Sequence, residues 1–111
     1  MPHISDYSFG SVTVDGIVYN RDLIVLPGEV VGWRREQGHY LQPRDLELAV
    51  AVLPRLLIVG TGASGAMKVA PGTVEFLRAR GIRFQALRTA DAVEAYNRAP
   101  VGTVCALHLT C

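Results

Sequence analysis

The run Leu56-Leu57-Ile58-Val59-Gly60-Thr61-Gly62-Ala63-Ser64-Gly65 carries the densest chemical signal in the chain, a short apolar strand feeding directly into G-x-G-x-x-G. In dinucleotide-binding folds such a turn opens a helix whose N-terminal amides hold a pyrophosphate. An acidic residue about twenty positions later takes the ribose. Neither condition follows here. Pro71-Gly72 falls nine residues after Gly62, where that helix would have to run uninterrupted, and an interior proline removes a hydrogen bond and clashes with the preceding turn. The next strand, Arg83–Ala86, supplies Gln85 and then Arg88, with no carboxylate before Asp91. Arg88 facing a ribose phosphate would repair only one of the two failures. The expectation is a tight turn that needs glycine torsions to leave a buried strand, with neither a nicotinamide nor a flavin cofactor.

Other reactive groups are weaker. Ser64, Asp91 and His108 follow the chain order of the α/β-hydrolases, but Gly62-Ala63-Ser64-Gly65-Ala66 lacks the second glycine of G-x-S-x-G. No catalytic residue is assigned. If Leu56–Val59 and Arg83–Ala86 are parallel, their carboxyl ends gather Gly60, Thr61, Gly62, Arg88 and Thr89, a candidate ligand edge suited to an anion. The competing reading has Thr89 capping its own helix and Arg88 in solvent. His3, His39 and His108 are scattered without paired ligand spacing, so no metal site is expected. Cys105 and Cys111 are six residues apart on one expected strand. That is roughly 20 Å at strand rise, against about 7 Å for bridged Cα atoms. Cys105 is expected buried and inert, with Cys111 the more accessible thiol. Trp33 and His39 bracket Gly38 and are the candidate interface, although a tryptophan is more often a core cover.

These residues need positioning elements. Phe9–Val14, Asp15-Gly16 and Ile17–Tyr19 read as a hairpin on a type I′ turn, and Leu23–Leu26 as a strand stopped by Pro27-Gly28. Val30–Trp33 is a short strand or an extended arm. Pro43 suits a first helical position, and Leu46, Ala49, Val50 and Leu53 recur at helical spacing. Leu48 and Val52 widen that stripe, predicting a Pro43–Leu53 helix buried on more than one side. Then come strand Leu56–Val59, helix Pro71–Arg80 stopped at Gly81, strand Arg83–Ala86, helix Thr89–Asn97 and strand Val104–Leu109. Within the last helix Glu94 and Arg98 form an i,i+4 pair. The alternation predicts an α/β fold with a mixed, mostly parallel sheet, two βαβ crossovers and an N-terminal β-hairpin.

Composition excludes several classes. The chain has 111 residues, half of them apolar, 19% charged, with a formal charge of +1. One domain over 1–111 is expected, ordered and without an electrostatic footprint for nucleic acid. No segment approaches the roughly eighteen apolar residues of a membrane span. Met1–Asp6 lacks the regions of a signal peptide, and a cytoplasmic location is expected.

Trp33, Gly38-His39, Pro54, Gly60-Thr61-Gly62, Pro71, Gly81-Ile82, Thr89 with Ala92, Asn97 and His108-Leu109-Thr110-Cys111 occur together in an order and spacing that covers nearly the whole chain. In these the sequence resembles the small α/β domain of unknown function shared by the adipogenesis-associated domain protein and a mitochondrial complex I assembly factor family. The resemblance implies three layers, a mostly parallel sheet with one antiparallel strand, and a glycine turn that belongs to this fold. It supplies no catalytic mechanism. Together with the missing catalytic constellation, it favours a non-enzymatic adaptor or assembly-factor-like role with a protein partner. The alternative is a small-molecule (anion or nucleotide) binding or enzymatic domain using Gly60-Thr61-Gly62.

Overall fold

A computed structural model describes all residues, Met1–Cys111. The strands are β1 Ile4–Ser8, β2 Ser11–Val14, β3 Ile17–Tyr19, β4 Leu23–Val25, β5 Val30–Gly32, β6 Tyr40–Leu41, β7 Leu56–Thr61, β8 Lys68–Val69, β9 Arg83–Leu87 and β10 Val104–His108. The helices are α1 Glu47–Ala51, continuing a 3-10 turn over Pro43–Leu46, α2 Thr73–Arg78 and α3 Thr89–Asn97. The central sheet has the order β5-β4-β10-β7-β9. β10 pairs parallel with β7, and β7 with β9, whereas β4 runs antiparallel to both β10 and β5. Four strands therefore point one way and β4 points back. This is the mixed, mostly parallel α/β sheet expected from the sequence.

The pleat sends alternate residues of each central strand to opposite faces. Ile24, Leu57, Val59, Val104 and Ala106 pack with Leu46, Ala49 and Leu77 beneath α1 and α2. Leu23, Val25, Ile58, Cys105 and Leu107 pack on the other face with Ala92, Val93 and Tyr96 of α3. The N-terminal sheet β1-β2-β3 closes that second core through Ile4, Val12 and Val14. Asn97 locks it to α3, its side chain accepting from the Ile4 amide at 3.1 Å and donating to the Ile4 carbonyl at 2.7 Å. The expected turn between β2 and β3 is present, with Asp15 at φ +48° and Gly16 at φ +83°, as a type I′ turn requires.

Several boundaries differ from expectation for physical reasons. β1 is an added strand, and the hairpin strand expected from Phe9 begins at Ser11. The register between β1 and β2 shifts between Ser5 and Ser8, with Asp6 at φ +50°, so no clean alternation marks β1. The Pro43–Leu53 helix is half 3-10 and ends at Ala51, and Leu48 and Val52 face solvent, so it is buried on one side only. α2 starts at Thr73 because Gly72 is left-handed at φ +88°. β7 runs two residues further than expected, through Gly60 and Thr61. No helix begins at Gly62.

Candidate functional site

The first glycine of the turn serves packing. A Cβ at Gly60 would lie 2.8 Å from Thr89 Oγ1 and 3.0 Å from Leu107, so α3 can approach β7 only at glycine. Gly62 sits at φ +109°, and a Cβ there would lie 2.5 Å from the Thr110 carbonyl and 3.1 Å from the His108 ring. The turn is therefore filled by the chain itself.

Its polar groups are engaged in the same way. The Gly62 amide donates to Thr89 Oγ1 at 2.9 Å, and the Thr89 hydroxyl donates to the His108 carbonyl. The Thr89 amide donates to the Gly62 carbonyl at 3.1 Å, and the Ala63 amide to the Thr110 carbonyl at 3.2 Å. Thr61 donates to the Leu87 carbonyl at 3.0 Å. Thr89 does not cap α3, whose N-cap residue is Arg88 with no side-chain cap. Instead it ties β7, α3 and β10 together. Arg88 is exposed, 3.8 Å from Asp91. Thus Gly60, Thr61, Gly62 and Thr89 form a structural knot at the expected ligand edge, with Arg88 outside it.

A different polar group stands on the α1/α2 side of that edge. In β10, Leu107 points toward α3, so His108 points the other way. The antiparallel register pairs Leu107 with Leu23. Continued by one residue, it sets Asp22 beside His108. The Asp22 carboxylate lies 2.7 Å from His108 Nδ1, accepts from Arg35 Nη1 at 2.7 Å, and accepts from the Leu109 amide at 2.8 Å. Arg35 Nη2 lies 3.0 Å from the same ring nitrogen and donates to the Gly38 carbonyl at 3.1 Å.

One imidazole nitrogen cannot both donate to Asp22 and accept from Arg35. Arg35 already has two oxygen acceptors, and a carboxylate is the stronger partner. We therefore assign the proton to Nδ1, donated to Asp22. Nε2 is then the free ring nitrogen, and it is buried without a hydrogen-bond partner. Burial pushes the Asp22 carboxyl up, but the Leu109 amide, the Arg35 guanidinium and His108 outweigh it and hold its pKa below the ordinary value.

The segment from Trp33 to Asp45 is built to hold this arrangement. Trp33 is 6% exposed, and its indole N–H donates to the Asp45 carbonyl at 2.8 Å. The Asp45 carboxylate accepts from the Glu36 and Gln42 amides at 3.1 and 2.9 Å. Arg35, whose side chain is only 5% exposed, stacks over the indole with its guanidinium carbon 4.7 Å from the ring centre. Trp33 therefore supports Arg35 and presents no exposed patch. His39 is exposed, fixed through its carbonyl by the Lys68 amide at 2.8 Å. Its Nε2 lies 3.2 Å from Cys111 Sγ.

His39, His108 and Cys111 each offer a ligand atom within 4.8 Å of the other two. Sequence spacing gave no sign of this convergence, because 69 positions separate the histidines. Asp22 and Arg35 were not legible as partners either. The only signals were a carboxylate just before an apolar strand and a histidine inside another. Ser64 and Asp91 do not join His108: both are exposed, and the carboxylate on the histidine is Asp22. His3 lies at the hairpin, where its amide donates to Asp15 at 2.8 Å. Cys105 is fully buried, and burial pushes its thiol pKa up.

Fold and site together define a small α/β domain with a glycine knot and a His–Cys cluster at the carboxyl edge of a mixed sheet. Residues 4–101 match the family described as protein of unknown function (DUF498/DUF598), and the chain belongs to that family. The matched span ends before β10, so His108 and Cys111 lie outside it. The conserved hypothetical protein PH1505 from Pyrococcus horikoshii OT3 shares the fold at TM-score 0.87 and 23% identity, over 97% of this chain and 98% of that one. The structure called MT938 aligns over the full length of both chains at TM-score 0.83 and 28% identity. The Rpa2829 protein from Rhodopseudomonas palustris matches at TM-score 0.74 and 28% identity, covering 94% of this chain and 80% of its own.

Proposed function

We propose that this chain is a binding domain whose working site is the carboxyl-edge cluster of Asp22, Arg35, His39, His108 and Cys111. The observation that carries this is the buried, unpartnered Nε2 of His108, held by a carboxylate on the opposite ring nitrogen. An unsatisfied buried polar atom costs about 1–3 kcal/mol, and a ligand at Nε2 recovers that cost. His39, His108 and Cys111 line none of the clefts of about 320–870 Å³, although Asp22 lines one of about 520 Å³. The occupant is therefore ion-sized, or a single group of something larger that enters past exposed His39.

The test is native mass spectrometry of the chain isolated gently from its own cells, beside His108→Gln. A bound mass on the wild type that disappears in the variant supports the site. A wild-type chain without any bound mass argues against it.

A second reading, the adaptor or assembly-factor-like role, has its own observation. The largest cleft, about 870 Å³, lies at the opposite end of the sheet and is lined by Pro27, Leu53, Pro54, Pro100 and Val101 among others. Leu53 and Val101 there are 73% and 86% exposed. A protein partner seated on this end would be lost on Leu53→Asp with Val101→Asp and retained by His108→Gln.

A further inference from the structure

We propose that His39, His108 and Cys111 form a three-ligand site for zinc(II) or a similar borderline-soft divalent ion, with a fourth position open to solvent. This inference rests on the carboxyl-edge cluster being the working site and names its occupant.

The donor chemistry comes first. Imidazole and thiolate are both zinc ligands, and zinc sites with an exchangeable fourth position use three protein ligands. Oxygen-seeking ions such as calcium and magnesium would need carboxylates and carbonyls instead. The Asp22 carboxylate beside the cluster is committed to Arg35, His108 and the Leu109 amide.

Distances come second. With metal–ligand bonds of about 2.0–2.3 Å at tetrahedral angles, ligand atoms stand roughly 3.3–3.7 Å apart. His39 Nε2 and Cys111 Sγ are 3.2 Å apart, and all three donors fall within 4.8 Å. The remaining closure is on the order of 1 Å, and exposed His39 and partly exposed Cys111 can supply it by side-chain rotation.

The third observation is independent of the ligand set. Histidines bound to metals almost always donate their other ring N–H to a carboxylate or carbonyl, which fixes the tautomer and raises basicity. Asp22 does this for His108 at 2.7 Å, and Arg35 holds Asp22 in turn. The result is an oriented imidazole with no other acceptor function for its free nitrogen.

On binding, the Cys111 thiol gives its proton to solvent, the ion gives up water molecules, and sulfur and the two Nε2 atoms donate electron pairs to it. Nothing is oxidised or reduced. Arg35 and Asp22 cancel in charge, and one thiolate offsets only part of the charge of a divalent ion. The fourth position therefore favours an anion or a water that ionises readily.

Zinc(II) and cobalt(II) should each bind the reduced full chain in equilibrium dialysis at one equivalent. The cobalt form should show a sulfur-to-metal charge-transfer band and the intense visible bands of a tetrahedral ion. Cys111→Ser should abolish the sulfur band, and His39→Ala, a change at an exposed position, should weaken binding at least a hundredfold with circular dichroism unchanged. Asp22→Asn should weaken it 10–100-fold while the cobalt spectrum keeps its shape. Failure to take up either ion overturns the proposal, as does uptake indifferent to both Cys111→Ser and His39→Ala. A His108-dependent bound mass in a chain that takes up neither ion would remove the metal and leave the binding site standing.

Discussion

The two ends of the central sheet are opposites. At the carboxyl end, Asp22, Arg35 and His108 interlock at 2.7–3.0 Å, and a backbone knot closes the turn after β7 so tightly that Gly62 has no room for a methyl group. At the amino end a broad cleft opens between Pro27, Leu53, Pro54 and Val101, and a Cβ at Gly102 would meet nothing within 4 Å. Size and chemistry thus differ between the ends: the largest cleft is lined by Arg55 and Arg83 but by no carboxylate, histidine or cysteine, whereas the other end brings Asp22, His39, His108 and Cys111 together. Side-chain convergence is the better guide here, since a charged pair and a free ring nitrogen are costly to bury without purpose, whereas an open groove costs little.

The sharpest way to break this contrast is a matched pair of glycine substitutions. Gly62 and Gly102 both have positive φ, at +109° and +96°. Gly62→Ala adds a collision with the Thr110 carbonyl to the backbone strain and should cost about 4 kcal/mol or more. Gly102→Ala carries strain alone, about 1–2 kcal/mol. Urea denaturation midpoints measure both, and equal losses would mean that the carboxyl end is no more tightly closed than the other.

Asp22→Asn comes next, at about 3 kcal/mol, because it leaves the buried Arg35 guanidinium without its carboxylate. The acid dependence follows from the lowered pKa of Asp22. The unfolded chain binds a proton at higher pH than the folded one, so the stabilisation is full above the unfolded carboxyl value of about 3.9. It is lost as the pH falls from there through the folded pKa. Denaturation between pH 5 and the acid transition should show this loss in the wild type and a flatter profile in Asp22→Asn.

Thiol reactivity sharpens the comparison further. Cys105 lies fully buried between the sheet and α3, with its pKa raised by burial, and Cys111 stands partly exposed beside His39. Iodoacetamide should label Cys111 at least tenfold faster in the native chain, read by peptide mapping. Comparable rates would show that β10 opens readily.

The smallest effect is expected at the amino end. Leu53→Asp with Val101→Asp should change stability by no more than about 0.5 kcal/mol, because both side chains already face solvent. A large loss would show that the cleft is packed in solution.

Legibility in the sequence followed the range of the interactions. The β2–β3 turn, the apolar strands β4, β7 and β10, and the α3 span were readable because turn torsions and periodicity are local properties. The exposed Glu94–Arg98 pair, at 3.0 Å, was readable for the same reason. β1 and β6 were not, since a bulge hides the first and the second exists only through its pairing with β8.

The candidate site divides along that line. The sequence by itself established that Gly60-Thr61-Gly62 leaves a strand, that no helix can run on from Gly62 past Pro71, and that the ribose carboxylate of a dinucleotide site is missing. Only the tertiary structure decided that Asp22 faces His108, that Arg35 lies on Trp33, and that His39 meets Cys111. Asp22 and His108 are 86 positions apart, and His39 and Cys111 are 72 apart. Their contacts depend on strand register between β4 and β10 and on the path of the loop before β6, which no local preference of the chain encodes.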